Sequence, residues 1–86
     1  MPKYTKLPNL RGKQLIKLLE KDGWILKRRS RHGVALAKTY SDRTIVTVVP
    51  DSTAILDAGT LGAIIGHKQT NIGKDGLLAL VNKYGL

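Results

Sequence analysis

The first regular pattern along the chain is an apolar stripe at helical spacing between residues 12 and 21. This stripe lies opposite a row of lysines four residues apart, with Leu15, Ile16, Leu18 and Leu19 on one side and Lys13, Lys17 and Lys21 on the other. Asn9 is the predicted N-cap, and Gly23 can adopt the left-handed conformation that ends a helix. The pattern predicts an amphipathic helix, whose lysine row is either a solvated face or a contact for phosphate groups.

The pattern then changes to that of β-strands. Trp24 opens a first strand, and its indole is expected to pack in the core rather than to stack on a base. Residues 27–32 are too polar to be buried together and are predicted to form a turn. Residues 33–40 alternate between two faces, and residues 44–49 are rich in β-branched side chains. Pro50 ends the third strand because it has no N–H to donate, and the short links predict an antiparallel meander.

Two further helices follow the strands. After a loop, Thr60 is the predicted N-cap of a helix over residues 61–68, and residues 74–84 carry a last apolar stripe. Residues 1–9 contain two prolines and are expected to form an extended arm. The sequence therefore predicts an α+β domain of order α-β-β-β-α-α, with helices packed on one face of a three-stranded antiparallel sheet and the other face open.

The charge of the chain is concentrated in its first half. Residues 1–40 carry 11 Lys/Arg and 2 Asp/Glu, a net charge of +9, whereas residues 41–86 carry 4 of each and are neutral. This asymmetry favours a polyanionic partner over a merely soluble surface. The 86 residues include no cysteine, which excludes disulfides and thiolate metal sites and favours a reducing cytoplasm. No apolar run is long enough to span a membrane.

Elimination leaves His32 as the candidate for chemistry. The sequence contains no phosphate-binding glycine loop, no nucleophile elbow and no metal-ligand spacing. His32 is surrounded in sequence by five cationic residues, which are Lys27, Arg28, Arg29, Arg31 and Lys38. Histidine exchanges a proton near neutrality, and Arg and Lys bind phosphates. A lone histidine in a turn is nevertheless an ordinary surface residue more often than a catalyst, and His67 is explained by a helix C-terminus.

Residues 10–33 (LRGKQLIKLLEKDGWILKRRSRHG), the strand end VTVVP and the helix start GTLGAII together resemble the HicA family of toxins. The order and spacing of these pieces carry the resemblance, which covers residues 10–72 of a single domain, with residues 73–86 as a C-terminal helix. It implies a double-stranded-RNA-binding-like α-β-β-β-α fold and the activity of an mRNA interferase. The family frequently has a second histidine after the strand-ending proline, where this chain has Asp51.

The resemblance also implies roles for particular residues. The histidine of the family's Gly-Ser-His-like turn is its catalytic residue and falls on His32, the expected general base of a metal-independent endoribonuclease without a cofactor. The expected RNA-binding residues are Arg28, Arg29, Arg31 and Lys38, with Lys13 and Lys17 as further candidates. A HicB-like antitoxin is the expected protein partner, carrying acidic groups and covering His32.

Two other functions fit the same features. The α-β-β-β-α arrangement also serves modules that bind duplex RNA by shape and phosphate contacts without cleaving it. A small basic protein associated with DNA is a third interpretation, since a basic surface alone does not distinguish RNA from DNA.

Overall fold

The computed structural model describes residues 4–31, 33–66 and 69–85. Its elements occur in the predicted order, α-β-β-β-α-α, so the α+β class is confirmed. They are α1 (Gly12–Lys21), β1 (Ile25–Ser30), β2 (Gly33–Thr39), β3 (Thr44–Val49), α2 (Ala58–Ile65) and α3 (Gly73–Tyr84).

Helix α1 has the predicted bounds because its apolar stripe is buried and its end is set by Gly23. The stripe residues Leu15, Ile16, Leu18 and Leu19 are all buried, and Gly23 has a φ of 98°. The prediction of Asn9 as N-cap was wrong. Arg11 is the N-cap, and its backbone N–H donates to Oε1 of Gln14, the third residue of the helix, at 2.8 Å.

The three strands form one antiparallel sheet in the order β1-β2-β3, so β2 is central. Val34 and Leu36 of β2 pair across the sheet with Val49 and Thr47 of β3, and all four are buried on the face that the helices cover. The core cluster combines the three apolar strand residues, Val34, Leu36 and Val49, with Trp24, the α1 stripe, Ile64 and Ile65 of α2, and Leu77 and Val81 of α3. Trp24 is 2% exposed, which confirms its packing role.

Strand β1 continues further than predicted. The prediction of a turn over residues 27–32 was wrong for residues 27–30, which belong to the strand. Polar residues fit there because β1 is an edge strand, most of whose side chains can point to solvent, and residues 27–30 are all exposed. Charged side chains on an edge strand also discourage pairing with another chain.

Helix α2 begins three residues earlier than predicted. The prediction of Thr60 as N-cap was wrong, because the N-cap is Asp57, whose Oδ1 accepts from the backbone N–H of Thr60 at 2.7 Å. That hydrogen bond is the main reason why the pKa of Asp57 is lowered. The described helix ends at Ile65, and the rest of the predicted helix, His67 and Lys68, lies outside the described residues.

The described part of the arm packs on α3. Residues 4–9 form no helix or strand, but the backbone N–H of Tyr4 donates to Asn82 at 2.7 Å, and the Asn82 amide donates back to the Tyr4 carbonyl at 3.0 Å. Tyr4 and Leu7 also pack against the core cluster. Among the described residues, no helix is long and apolar enough to cross a membrane.

Two glycines give opposite predictions for alanine substitution. A β-carbon at the buried Gly12 would clash with the carbonyl oxygen of Pro50, so Gly12→Ala should destabilise the fold by about 1–3 kcal/mol. Gly62 in α2 has open space at the same position, so Gly62→Ala should stabilise it by about 0.4–1 kcal/mol. Urea unfolding followed by the fluorescence of the single tryptophan would measure the stability of both variants. Equal changes in the unfolding free energy would contradict the close contact at Gly12.

Candidate nucleic-acid interface

An irregularity in β1 decides which face of the sheet each of its two adjacent arginines takes. The pairing register between β1 and β2 shifts between Leu26 and Arg28, which leaves Lys27 without a partner in the ladder. Arg28 then pairs with Ala35 on the open face, whereas Arg29 pairs with Val34 on the face that carries the helices. The two arginines, although adjacent in sequence, therefore cannot contact RNA on the same side of the sheet.

Arg29 meets α1 at a basic groove. This groove is lined by Lys13, Ile16, Lys17, Glu20, Arg29 and Asp51. Within it, Lys13 Nζ lies 2.9 Å from Asp51 Oδ1, and Arg29 Nη1 lies 2.9 Å from Asp51 Oδ2. Three of the predicted RNA-binding residues, Lys13, Lys17 and Arg29, are thus brought together.

The segment after β3 fixes the position of Asp51. The backbone N–H of Lys13 donates to the Ser52 carbonyl at 3.0 Å, and the N–H of Leu56 donates to the Leu10 carbonyl at 2.7 Å. The guanidinium of Arg11 donates to the carbonyl of Thr53. Backbone bonds therefore hold this segment along the start of α1, so the position of Asp51 does not depend on its own ion pairs.

The cations of the groove change the acidity of Asp51. The hydrogen bond from Lys13, together with the positive charges of Lys13 and Arg29, lowers the pKa of the Asp51 carboxyl below its ordinary value of 3.8, against a smaller opposing effect of desolvation. Asp51 is therefore ionised at neutral pH and neutralises part of the positive charge of the groove.

Lys38 lies at the other end of β2. It is five residues from Gly33, about 17 Å along a strand that rises about 3.3 Å per residue. Its Nζ donates to the Asp22 carbonyl at 2.9 Å and lies 3.4 Å from Asp22 Oδ2, just after α1. The structure therefore does not bring Lys38 together with the basic groove.

The turn between β1 and β2 lies at the same end of the sheet as the groove. Ser30 and Gly33 form the last pair of these strands, and Arg31 is exposed in the turn. The predicted catalytic residue, His32, lies outside the described residues. Gly33, directly after it, has a φ of 141°, and a β-carbon there would lie 2.6 Å from the Val49 carbonyl oxygen. Only glycine fits this position, so the backbone of the first residue of β2 is tightly restricted.

The open face of the sheet has a different character. It exposes Ile25, Val46 and Val48 by 60%, 54% and 48%, around Ala35 and Ala37 of the central strand. Arg28 is the one predicted RNA-binding residue that pairs into this face. Polyanion binding is therefore better served by the basic groove than by the open face.

Metal chemistry finds no support in the described part of the chain. No group of three or more His, Cys, Asp or Glu residues there could hold a metal ion. The cationic side chains can bind phosphate oxygens directly, without an intervening cation.

The comparison with protein families gives a direct result. A model described as the HicA toxin of bacterial toxin-antitoxin matches residues 12–72, most of the chain. The chain belongs to the HicA toxin family. Neither the curated proteins nor the solved structures contain a match to it. The matched segment includes all of α1, the sheet and α2, and therefore both the basic groove and the turn that contains His32.

Sequence reasoning missed two residues of this HicA-family site, Asp51 and Gly33. Asp51 is far in sequence from Lys13 and Arg29, and only the sheet register shows that they meet. A signal for Asp51 was its position directly after Pro50, where the chain leaves β3. Gly33 offered a weaker signal as a glycine at the start of a strand, where it often marks a close backbone approach.

The lowered pKa of Asp51 predicts an acid-dependent loss of stability. Its ionised form is favoured by folding, so its contribution is present above the ordinary value of 3.8 and is lost as the pH falls below it. Stability measured by tryptophan fluorescence should therefore fall more steeply with acid in the native protein than in Asp51→Asn. Asp57, with a lowered pKa of its own, should leave a residual dependence in that variant. Stability that falls equally steeply with acid in the native protein and in Asp51→Asn would contradict the lowered pKa of Asp51.

Proposed function

We propose that this HicA-family chain is a metal-independent endoribonuclease that cleaves mRNA in the cytoplasm with His32 as general base. The proposal is carried by the family match, which spans the turn containing His32 as well as the basic groove. The groove supports it, because Lys13 and Arg29 expose 53% and 63% of their side chains to solvent at this end of the sheet.

The reaction follows from the chemistry of a neutral imidazole beside an RNA sugar. His32 removes the proton from a 2′-hydroxyl, and that oxygen attacks the adjacent phosphorus. The bond from phosphorus to the 5′-oxygen breaks, and the departing oxygen takes a proton from protonated His32 or from water, which leaves a 2′,3′-cyclic phosphate and a new 5′-hydroxyl. General base catalysis supplies about 10²–10⁴-fold, and cationic side chains that stabilise the charged transition state supply much of the rest. DNA resists this reaction because it lacks the 2′-hydroxyl.

Replacing the proposed base should separate cleavage from binding. We expect His32→Ala to reduce cleavage of labelled RNA by about 10²–10⁴-fold in EDTA, because the general base is lost. Its affinity for a 2′-O-methyl oligonucleotide, which cannot react by this route, should stay unchanged. His67→Ala is the matched control and should cleave normally. Full cleavage by His32→Ala would eliminate the proposed base, and binding without cleavage by the native protein would favour a non-catalytic RNA-binding module.

The predicted RNA-binding residues can be ranked by their positions. Arg29 faces the groove, whereas Lys38 is held by Asp22 at the far end of β2 and would have to exchange that partner to bind RNA. Arg29→Gln should therefore weaken RNA binding more than Lys38→Gln does. It should also reduce the slope of log affinity against log salt by about 0.7, the value for one contact with a single strand. A larger loss of affinity in Lys38→Gln would indicate that RNA binds at the other end of the sheet.

We also propose a HicB-like antitoxin as the protein partner of this toxin-family chain. The net charge of +9 favours a partner with acidic groups, which would neutralise the cations that bind RNA. Such a partner would inhibit cleavage by covering His32.

A further inference from the structure

Asp51 occupies an unusual place in the groove, because each of its two carboxylate oxygens faces a different cation. Oδ1 accepts from Lys13 and Oδ2 from Arg29, both at 2.9 Å. A phosphodiester likewise presents two non-bridging oxygens that share one negative charge, and both cations bind phosphates readily. The groove therefore already holds a group with the charge and the two-oxygen geometry of an RNA phosphate.

We propose that Asp51 is an internal anion that occupies the phosphate site formed by Lys13 and Arg29, so that an RNA phosphate must displace it to bind there. This inference rests on the proposed RNA binding but not on cleavage. It assigns a function to Asp51, which competes with the substrate and sets how tightly RNA is held.

Exposure makes such an exchange feasible. The Lys13 and Arg29 side chains are more than half exposed, and Asp51 retains 28% exposure, so a phosphate can approach both cations from solvent. Exposed ion pairs of this kind contribute little to stability, so breaking them is a small barrier to exchange. Lys17, one helical turn after Lys13, lines the same groove and adds positive charge, while Glu20 opposes it.

The ion pair at the other end of α1 is different. Lys38 binds the Asp22 carbonyl as well as its carboxylate, and the Lys38 side chain is only 27% exposed. A backbone carbonyl has a fixed position, so Lys38 would lose a bond that the chain itself supplies if it turned to an RNA phosphate. Lys38–Asp22 therefore connects β2 to the end of α1, whereas the groove cations are held by a side chain that can move aside.

The test compares Asp51→Asn with Asp42→Asn, which removes the same charge in the exposed β2–β3 connection. The probe is a single-stranded 2′-O-methyl oligonucleotide, which remains intact whether or not the protein cleaves RNA. Asp51→Asn should bind it several-fold more tightly at low salt than Asp42→Asn does. Equal or weaker binding by Asp51→Asn would overturn the proposal.

A second comparison tests whether Asp51→Asn binds more tightly only because its loop has loosened. Lys13→Gln should reduce affinity more in the Asp51→Asn background than in the native one, because only there is Lys13 unmasked. Equal losses in both backgrounds would reject the competition. If the native protein cleaves RNA and Lys13→Gln loses equal affinity in both backgrounds, only the inference about Asp51 is rejected and the proposed nuclease activity stands. Tighter binding by Asp51→Asn without any cleavage in the native protein would reject the nuclease and keep the inference.

Discussion

The close approach of α1 to the end of β3 is the constraint on which the rest of the structure depends. Gly12 leaves no room for a side chain against Pro50, and the N–H of Lys13 bonds to Ser52 at 3.0 Å. At its other end, α1 is fixed by the bond from the Trp24 N–H to the Leu19 carbonyl at 2.9 Å. A helix held at both ends is a rigid support, so its lysines keep a defined position relative to β1.

The packing of the core decides where the positive charges of the chain lie. The core has no space for the cations, so they occupy the surface of α1, the edge strand β1 and the turn that follows it. The irregularity after Leu26 then sets which arginine faces which way, with Arg29 beside α1 and Arg28 beside the apolar open face. In the described part of the chain, the basic first half of the sequence thus becomes a groove that combines several cations, together with cations that lie outside it.

Periodicity was sufficient for the elements and the core, because burial acts on residues that are close in sequence. The α1 stripe, the packing of Trp24 and the β-branched β3 were all predicted from local patterns. The caps at Asn9 and Thr60 were wrong, because the helices are capped at Arg11 and Asp57, where Gln14 accepts from the Arg11 N–H and Asp57 accepts from the Thr60 N–H. The partnership of Asp51 with Arg29 was not predictable, since it depends on the register of three strands. The role of His32 comes from the resemblance and stays a prediction.

The basic groove and the turn serve different physical requirements. Phosphate binding tolerates long, exposed side chains, because electrostatic attraction acts over several ångströms and the cations can follow the ligand. Proton transfer requires hydrogen-bond distance and a fixed direction, which a flexible surface chain does not provide. The backbone of Gly33, next to the turn, is restricted, because its φ of 141° and its closeness to the Val49 carbonyl allow no side chain. Asp51 and Gly33 are held by different contacts, so the exchange proposed at Asp51 would leave the backbone at Gly33 unchanged.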